Sequence, residues 1–178
     1  PTNGWVTNSN FITDTSFNKA KPFTILSPRL GFSFPVSDRT VFFAQYGTFA
    51  QMPALQDLYM SQSFLREWYK QPGYATLRNP QLHPEKTTQY ELGIRQQIGE
   101  IASLNITAYY KEITGLIQMG FIQSNYNKTT FSVLQNGDYS TVRGLDLTFD
   151  MRRWNNFAAS VNYTLSYATG TGSDAGTL

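Results

Sequence analysis

The feature that most constrains this chain is a strict two-residue alternation of apolar and polar side chains, recurring in segments joined by alternately short and long connections. Between Asn156 and Ala168, Phe157, Ala159, Val161, Tyr163, Leu165 and Tyr167 alternate with Ala158, Ser160, Asn162, Thr164 and Ser166. A period of two sends successive side chains to opposite faces of a strand, so this segment predicts a strand with one apolar and one polar face. Residues 29 to 36 alternate in the same way, with Leu30, Phe32 and Phe34 opposite Arg29, Gly31 and Ser33. In residues 85 to 98, Thr88, Tyr90, Leu92 and Ile94 oppose Gln89, Glu91, Gly93 and Arg95. Residues 101 to 117 return as its hairpin partner, placing Leu104, Ile106, Ala108 and Tyr110 against Asn105, Thr107, Tyr109 and Lys111. Residues 131 to 151 end with Leu145, Leu147, Phe149 and Met151 opposite Asp146, Thr148 and Asp150. Residues 40 to 50 predict a further strand, but Phe42, Ala44 and Tyr46 oppose Phe43, Gln45 and Gly47, which leaves its facing open.

The connections carry the second constraint. Short turns are predicted at Ser37-Asp38-Arg39, at Gly99-Glu100 and at Arg152 to Asn155. Residues 51 to about 85 lose the alternation and contain Pro53, Pro72, Gly73, Pro80 and Pro84, which oppose strand pairing and predict a long loop. Within it, Leu55, Leu58, Tyr59 and Gln62 fall at helical spacing, enough for a helical turn or two between Pro53 and Phe64. A second irregular stretch is predicted from Gly120 to about Thr130, and a Gly/Thr/Ser tail follows Thr169. Gly144 marks either a bulge or a close backbone approach.

Tight turns at one end of about six antiparallel strands and long loops at the other make the expected fold all-β, as part of a transmembrane β-barrel. The strands meet the roughly 9 to 11 residues needed to cross a bilayer at a tilt. Composition agrees. Charged residues are 15% of the chain and aromatics another 15%, with eleven Tyr and thirteen Phe, suited to strands at a boundary between oil and water. No apolar run is long enough for a membrane-spanning helix, and the mean hydropathy is negative; alternating strands cancel in such an average. The net charge of +2 is scattered, with no basic cluster beyond Arg152 and Arg153, so nucleic acid is not expected as a partner. The absence of cysteine excludes disulfide scaffolds, thiol catalysis and thiolate metal sites.

The stretch Asn79-Pro80-Gln81-Leu82-His83-Pro84-Glu85-Lys86-Thr87-Thr88-Gln89-Tyr90-Glu91-Leu92-Gly93 resembles the signature that opens a barrel strand in TonB-dependent receptors. Leu104 to Lys111 is similar to that family's following strand, and Asn136-Gly137 with Arg143-Gly144-Leu145-Asp146 to the one after it. Tyr46 to Pro53 resembles the strand end that precedes a large extracellular loop. The resemblance covers residues 28 to 168 and implies that residues 1–178 are part of the receptor's β-barrel domain in the bacterial outer membrane. It further implies outer-membrane lipid, the receptor's own plug domain, the TonB complex and an imported scarce ligand as partners. The family's plug and TonB-contacting box have no counterpart in this sequence, so the chain is expected to be a segment of a larger receptor. Uptake energised through TonB is the expected function. A rival is a soluble β-sandwich module binding a ligand or glycan, in which the apolar face would be a core.

Candidate sites follow from these placements. The long loop carries Tyr59, Arg66, Trp68, Tyr69 and Tyr74, and aromatics accompanied by an Arg make good ligand anchors; their alternative role is packing at the barrel rim. Glu91, Arg95, Asp146 and Asp150 fall on the polar faces of their strands and are expected to face the lumen as wall charges. His83, the one histidine, is expected at the surface. No nucleophile with a base, no phosphate loop and no metal spacing is present, so neither catalysis nor a cofactor is expected.

Overall fold

The structure, a computed structural model, describes residues 22–61, 64–65, 76–123, 128 and 130–171. Six strands form one antiparallel sheet in simple chain order: β1 (Arg29–Ser37), β2 (Thr40–Gln51), β3 (Glu85–Ile98), β4 (Ala102–Gln123), β5 (Thr130–Trp154) and β6 (Phe157–Gly170). A four-residue helix, α1 (Leu55–Leu58), lies in the connection after β2, inside the span whose spacing predicts a helical turn. Among the described residues β1 and β6 sit at the two edges, and the sheet is open between them.

The register settles the face that alternation leaves open on β2. Phe42 pairs with Phe34 and Ile94, while Phe43 pairs with Ser33 and Gly93, so Phe42, Ala44 and Tyr46 share the apolar face. Across the six strands that face is built in continuous rows. One runs Phe34, Phe42, Ile94, Ile106, Leu147, Tyr163, and the next Phe32, Ala44, Leu92, Ala108, Leu145, Leu165. Towards the loop end a third row reads Leu30, Tyr46, Tyr90, Tyr110, Arg143, Tyr167. At the turn end Trp154 pairs with Phe157. An apolar band edged by aromatics at both ends is thus legible directly from the strand register.

Nothing among the described residues covers this face. Leu30 is 68% exposed, Leu92 54% and Tyr163 55%. Among the described residues the buried apolar side chains are instead Leu58, Leu65, Leu77, Leu82 and Val133, all at the loop end. A sandwich core would need a second sheet packed about 10 Å away, and the described strands belong to a single sheet.

The turns differ in detail from their sequence signals. The third tight turn lies at Asn155-Asn156 rather than over residues 152 to 155, because both asparagines take positive φ, 46° and 71°, and β5 continues to Trp154. Two such residues in succession form the mirror-image turn whose twist matches a β-hairpin. The loop between β3 and β4 has three residues, Gly99 to Ile101, since Ile98 pairs with Ala102. The irregular stretch predicted from Gly120 is shorter than expected: β4 runs to Gln123, and β5 begins at Thr130. The polar residues there are compatible with strand because the two strands pair with each other as far as Gln123↔Thr130. At 22 and 25 residues, β4 and β5 are about twice the length a bilayer crossing needs, so the hairpin projects well past the apolar band.

The register of that long hairpin shifts twice in succession, past Gly115 on β4, which takes φ 76°, and past Gly137 on β5. Gly144 is not a bulge. It pairs regularly with Tyr109 and Ser166, and an added Cβ would lie 2.5 Å from the Tyr109 hydroxyl, so close approach is the reason for glycine.

Candidate functional site

The face opposite the apolar band holds the polar chemistry. Its rows include Ser33, Phe43, Gly93, Thr107, Asp146, Thr164 and, one step towards the loops, Gly31, Gln45, Glu91, Tyr109, Gly144, Ser166. Glu91, Arg95, Asp146 and Asp150 all lie on it. Arg95 and Asp150 come together in one groove at the turn end, lined also by Asp38, Arg39, Glu100 and Arg152. Asp150 accepts a 2.7 Å hydrogen bond from the Ser160 hydroxyl, and Glu91 accepts one from the Gln89 amide. Asp146 stands between Thr107 and Thr164, apart from the other three.

The large side chains on this face are folded flat by a repeated device. Phe43 lies over Gly93, where an added Cβ would meet the ring at 2.3 Å and the Ile106 carbonyl at 2.7 Å; the Arg95 guanidinium sits 5.9 Å from the ring centroid. Tyr109 lies over Gly144, with Lys111 Nζ at 5.1 Å from its centroid. Phe49 lies over Gly47, with the Arg29 guanidinium at 4.5 Å. Each ring fills the trough left by a glycine and offers its outer π face to a cation, which anchors that charge near the wall. Arg95 is a predicted wall charge. Arg29 and Lys111 are functional candidates that charge and alternation alone do not single out: Gly47 and Phe49 share β2, but Arg29 meets them, and Tyr109 meets Gly144, only through pairing across the strands.

At the loop end the connection between β2 and β3 is stitched onto the long hairpin. Leu77 bridges to Val133, with Leu77 N–H donating to the Ser132 carbonyl at 2.9 Å and Leu134 N–H donating to the Leu77 carbonyl at 3.0 Å. This height on β5 is beyond the reach of β6, whose pairing ends at Ser140↔Gly170. Leu65, Leu77 and Val133 form a small core with Met60, Ile122 and Phe131 packed against it. Asn79 accepts from Gln81 N–H and donates to the Leu134 carbonyl, at 2.9 and 3.1 Å. Asn136 accepts from His83 N–H at 2.8 Å and donates to the His83 and Gly115 carbonyls at 2.9 and 2.6 Å. Leu82, 1% exposed, is the most deeply buried side chain in the described structure. The Asn79 to Pro84 motif therefore anchors the loop, and His83 stays exposed with its ring edge-on to Phe23. Of the five loop candidates, Tyr59 is exposed at the end of α1; Arg66, Trp68, Tyr69 and Tyr74 lie outside the described residues.

The chain matches the family model described as TonB dependent receptor-like, beta-barrel, over residues 3–178. No curated protein sequence matches it. Among solved structures it is similar to the outer membrane transporter YddB from Escherichia coli, with 14% identity, a TM-score of 0.62, and coverage of 82% of this chain and 20% of that one. It is also similar to the FrpB iron transporter from Neisseria meningitidis, with 16% identity, a TM-score of 0.59 and coverage of 85% and 21%. The alcaligin outer membrane receptor FauA from Bordetella pertussis gives 17% identity, a TM-score of 0.54 and coverage of 83% and 23%. At these identities the likeness concerns the fold, and the chain spans about a fifth of the length of the structures it matches.

Proposed function

Because the chain belongs to the TonB dependent receptor-like β-barrel family, we propose that it supplies six consecutive strands of an outer-membrane transport barrel that imports a scarce ligand with energy delivered through TonB. The observation that carries this reading is the two-faced sheet. Its apolar rows stand uncovered between aromatic borders, as a lipid-facing band does, while the opposite face is polar and charged. On this reading the long loops are extracellular, the tight turns periplasmic, and Glu91, Arg95, Asp146 and Asp150 face the lumen.

The flat inner wall suits a barrel occupied by a folded plug, because rings laid over glycines leave more clearance than rings standing into the lumen. The extracellular loop bearing Tyr59, Arg66, Trp68, Tyr69 and Tyr74 is the proposed ligand-contacting element. Its attachment to the β4–β5 hairpin through Asn79 and Asn136 holds its base at a fixed height above the membrane. The reading assigns the chain no catalytic role. Similar folds belong to proteins whose names specify copper, iron and alcaligin, so a metal or a metal chelate is the first ligand class to screen.

The test is made on the full-length protein that carries this chain. It is expected to fractionate with the outer membrane, to migrate anomalously on a gel unless boiled, and to accumulate its ligand only in cells with intact TonB. Accumulation that persists unchanged without TonB would overturn the energised-uptake reading.

A further inference from the structure

Arg143 breaks the pattern of the apolar face in one place. It occupies the loop-end border row, with Tyr110 beside it on β4 and Tyr167 beside it on β6, in a row otherwise made of Leu30 and tyrosines. Its strand is paired on both sides at this height, so its in-plane surroundings are complete. The side chain is exposed, and neither a hydrogen bond nor an ion pair holds it among the described residues. Glu112 stands one row further from the band, diagonal to Arg143 on β4, and no salt bridge joins the two among the described residues. That row is otherwise hydroxylic, with Thr48, Thr88, Thr141 and Thr169, and the last two share a 2.7 Å hydrogen bond.

We propose that Arg143 is an anchor for the phosphate of an outer-leaflet lipid. A guanidinium at the edge of a lipid-facing band is tolerated because it reaches the headgroup layer, where an anion neutralises it. Its planar fork matches a phosphate with two parallel hydrogen bonds. The flanking tyrosines place their rings in the same interfacial layer and their hydroxyls at headgroup depth. The Thr141 and Thr169 pair in the row beyond supplies a further hydroxyl donor to the same headgroup. This rests on the reading that the face is turned to lipid and the loop end to the outside.

The experiment uses the full-length receptor in detergent, its fold checked by heat-modifiable migration, with bound lipid counted by native mass spectrometry. The probes are diphosphorylated lipid A, the same lipid without phosphates, and inorganic phosphate. The wild type is expected to retain diphosphorylated lipid A in preference to the dephosphorylated form. Arg143→Gln should bind it at least about tenfold more weakly, since even one lost charge-assisted hydrogen bond is worth that much, and Arg143→Lys should fall between, keeping the charge without the fork. Equal retention of the two lipids by the wild type, or an unchanged affinity in Arg143→Gln, overturns the proposal. So does inorganic phosphate binding with the same Arg143 dependence and no preference for the lipid, which would make the site one for a free anion. A receptor that fails to fractionate with the outer membrane instead overturns the barrel reading itself.

Discussion

At Gly93 the wall of the sheet has no room for a methyl group. An added Cβ would press both the Phe43 ring and the backbone carbonyl of Ile106, and the carbonyl cannot rotate away. Gly93→Ala is therefore expected to destabilise the folded barrel by about 1–3 kcal/mol, the usual range for overpacking, and to free Phe43 from its place beneath Arg95. The loss reads out as a lower temperature at which heat-modifiable migration disappears; an unchanged temperature would show that the ring yields at no cost. Asn136 offers a different test, because one side chain accounts for three hydrogen bonds between β5, the β4 bulge and the loop. Asn136→Asp keeps the acceptor for His83 N–H and loses both donors. Limited proteolysis of the full receptor in detergent should cut the loop between residues 51 and 85 faster in this variant, and equal rates would show that Asn79 and the small core suffice to hold it.

At the scale of the strand, the alternation of the sequence corresponds closely to what folds. β1, β3 and β6 begin and end within two residues of their sequence bounds, because a period of two over that length admits only one assignment. β2 was legible as a strand but not in its facing: with Phe42 and Phe43 adjacent, hydrophobicity does not say which ring meets lipid, and only pairing with Ile94 and Gly93 decides it. The reach of β4 and β5 beyond the band was hidden for a related reason. Beyond the band one face of the hairpin meets the loop core through Ile122, Phe131 and Val133 while Gln118 and Gln135 on that same face stay polar, so no alternation marks the strands there. Alternation alone puts Glu91, Arg95, Asp146 and Asp150 on the polar face of their strands, where the register has them, whereas the Gly, ring and cation stacks depend on cross-strand register and are not legible in any one segment. The two faces also differ in what they tolerate. Leu92→Arg, in the middle of the apolar band, is expected to cost about 2–4 kcal/mol and to lower outer-membrane assembly. Thr107→Arg, on the opposite face of the neighbouring strand, should assemble normally. Equal effects of the two in the same envelope fractionation would contradict the assignment of faces.

The described residues form a sheet with an uncovered apolar face and two unpaired edges, which has no stable existence in water, since exposed apolar area and open strand edges both drive association. The bilayer resolves the first problem and closure with further strands the second. The account therefore stands on the claim that the alternating faces of β3 meet lipid on one side and a polar lumen on the other. The chain contains no cysteine, so it brings no competing label site of its own. The most direct measurement places a spin label in turn at residues 90, 91, 92, 94 and 95 by cysteine substitution in the full-length receptor, reconstituted in bilayers; Gly93 is left out because its Cβ position is already filled. Collision with oxygen, which partitions into lipid, is then compared with collision with a water-soluble nickel complex. The account predicts a two-residue period, with labels at Tyr90, Leu92 and Ile94 accessible to oxygen and labels at Glu91 and Arg95 shielded from it. A uniform response along the strand, or labels at Leu92 and Ile94 shielded from both reagents as in a packed protein core, would contradict it.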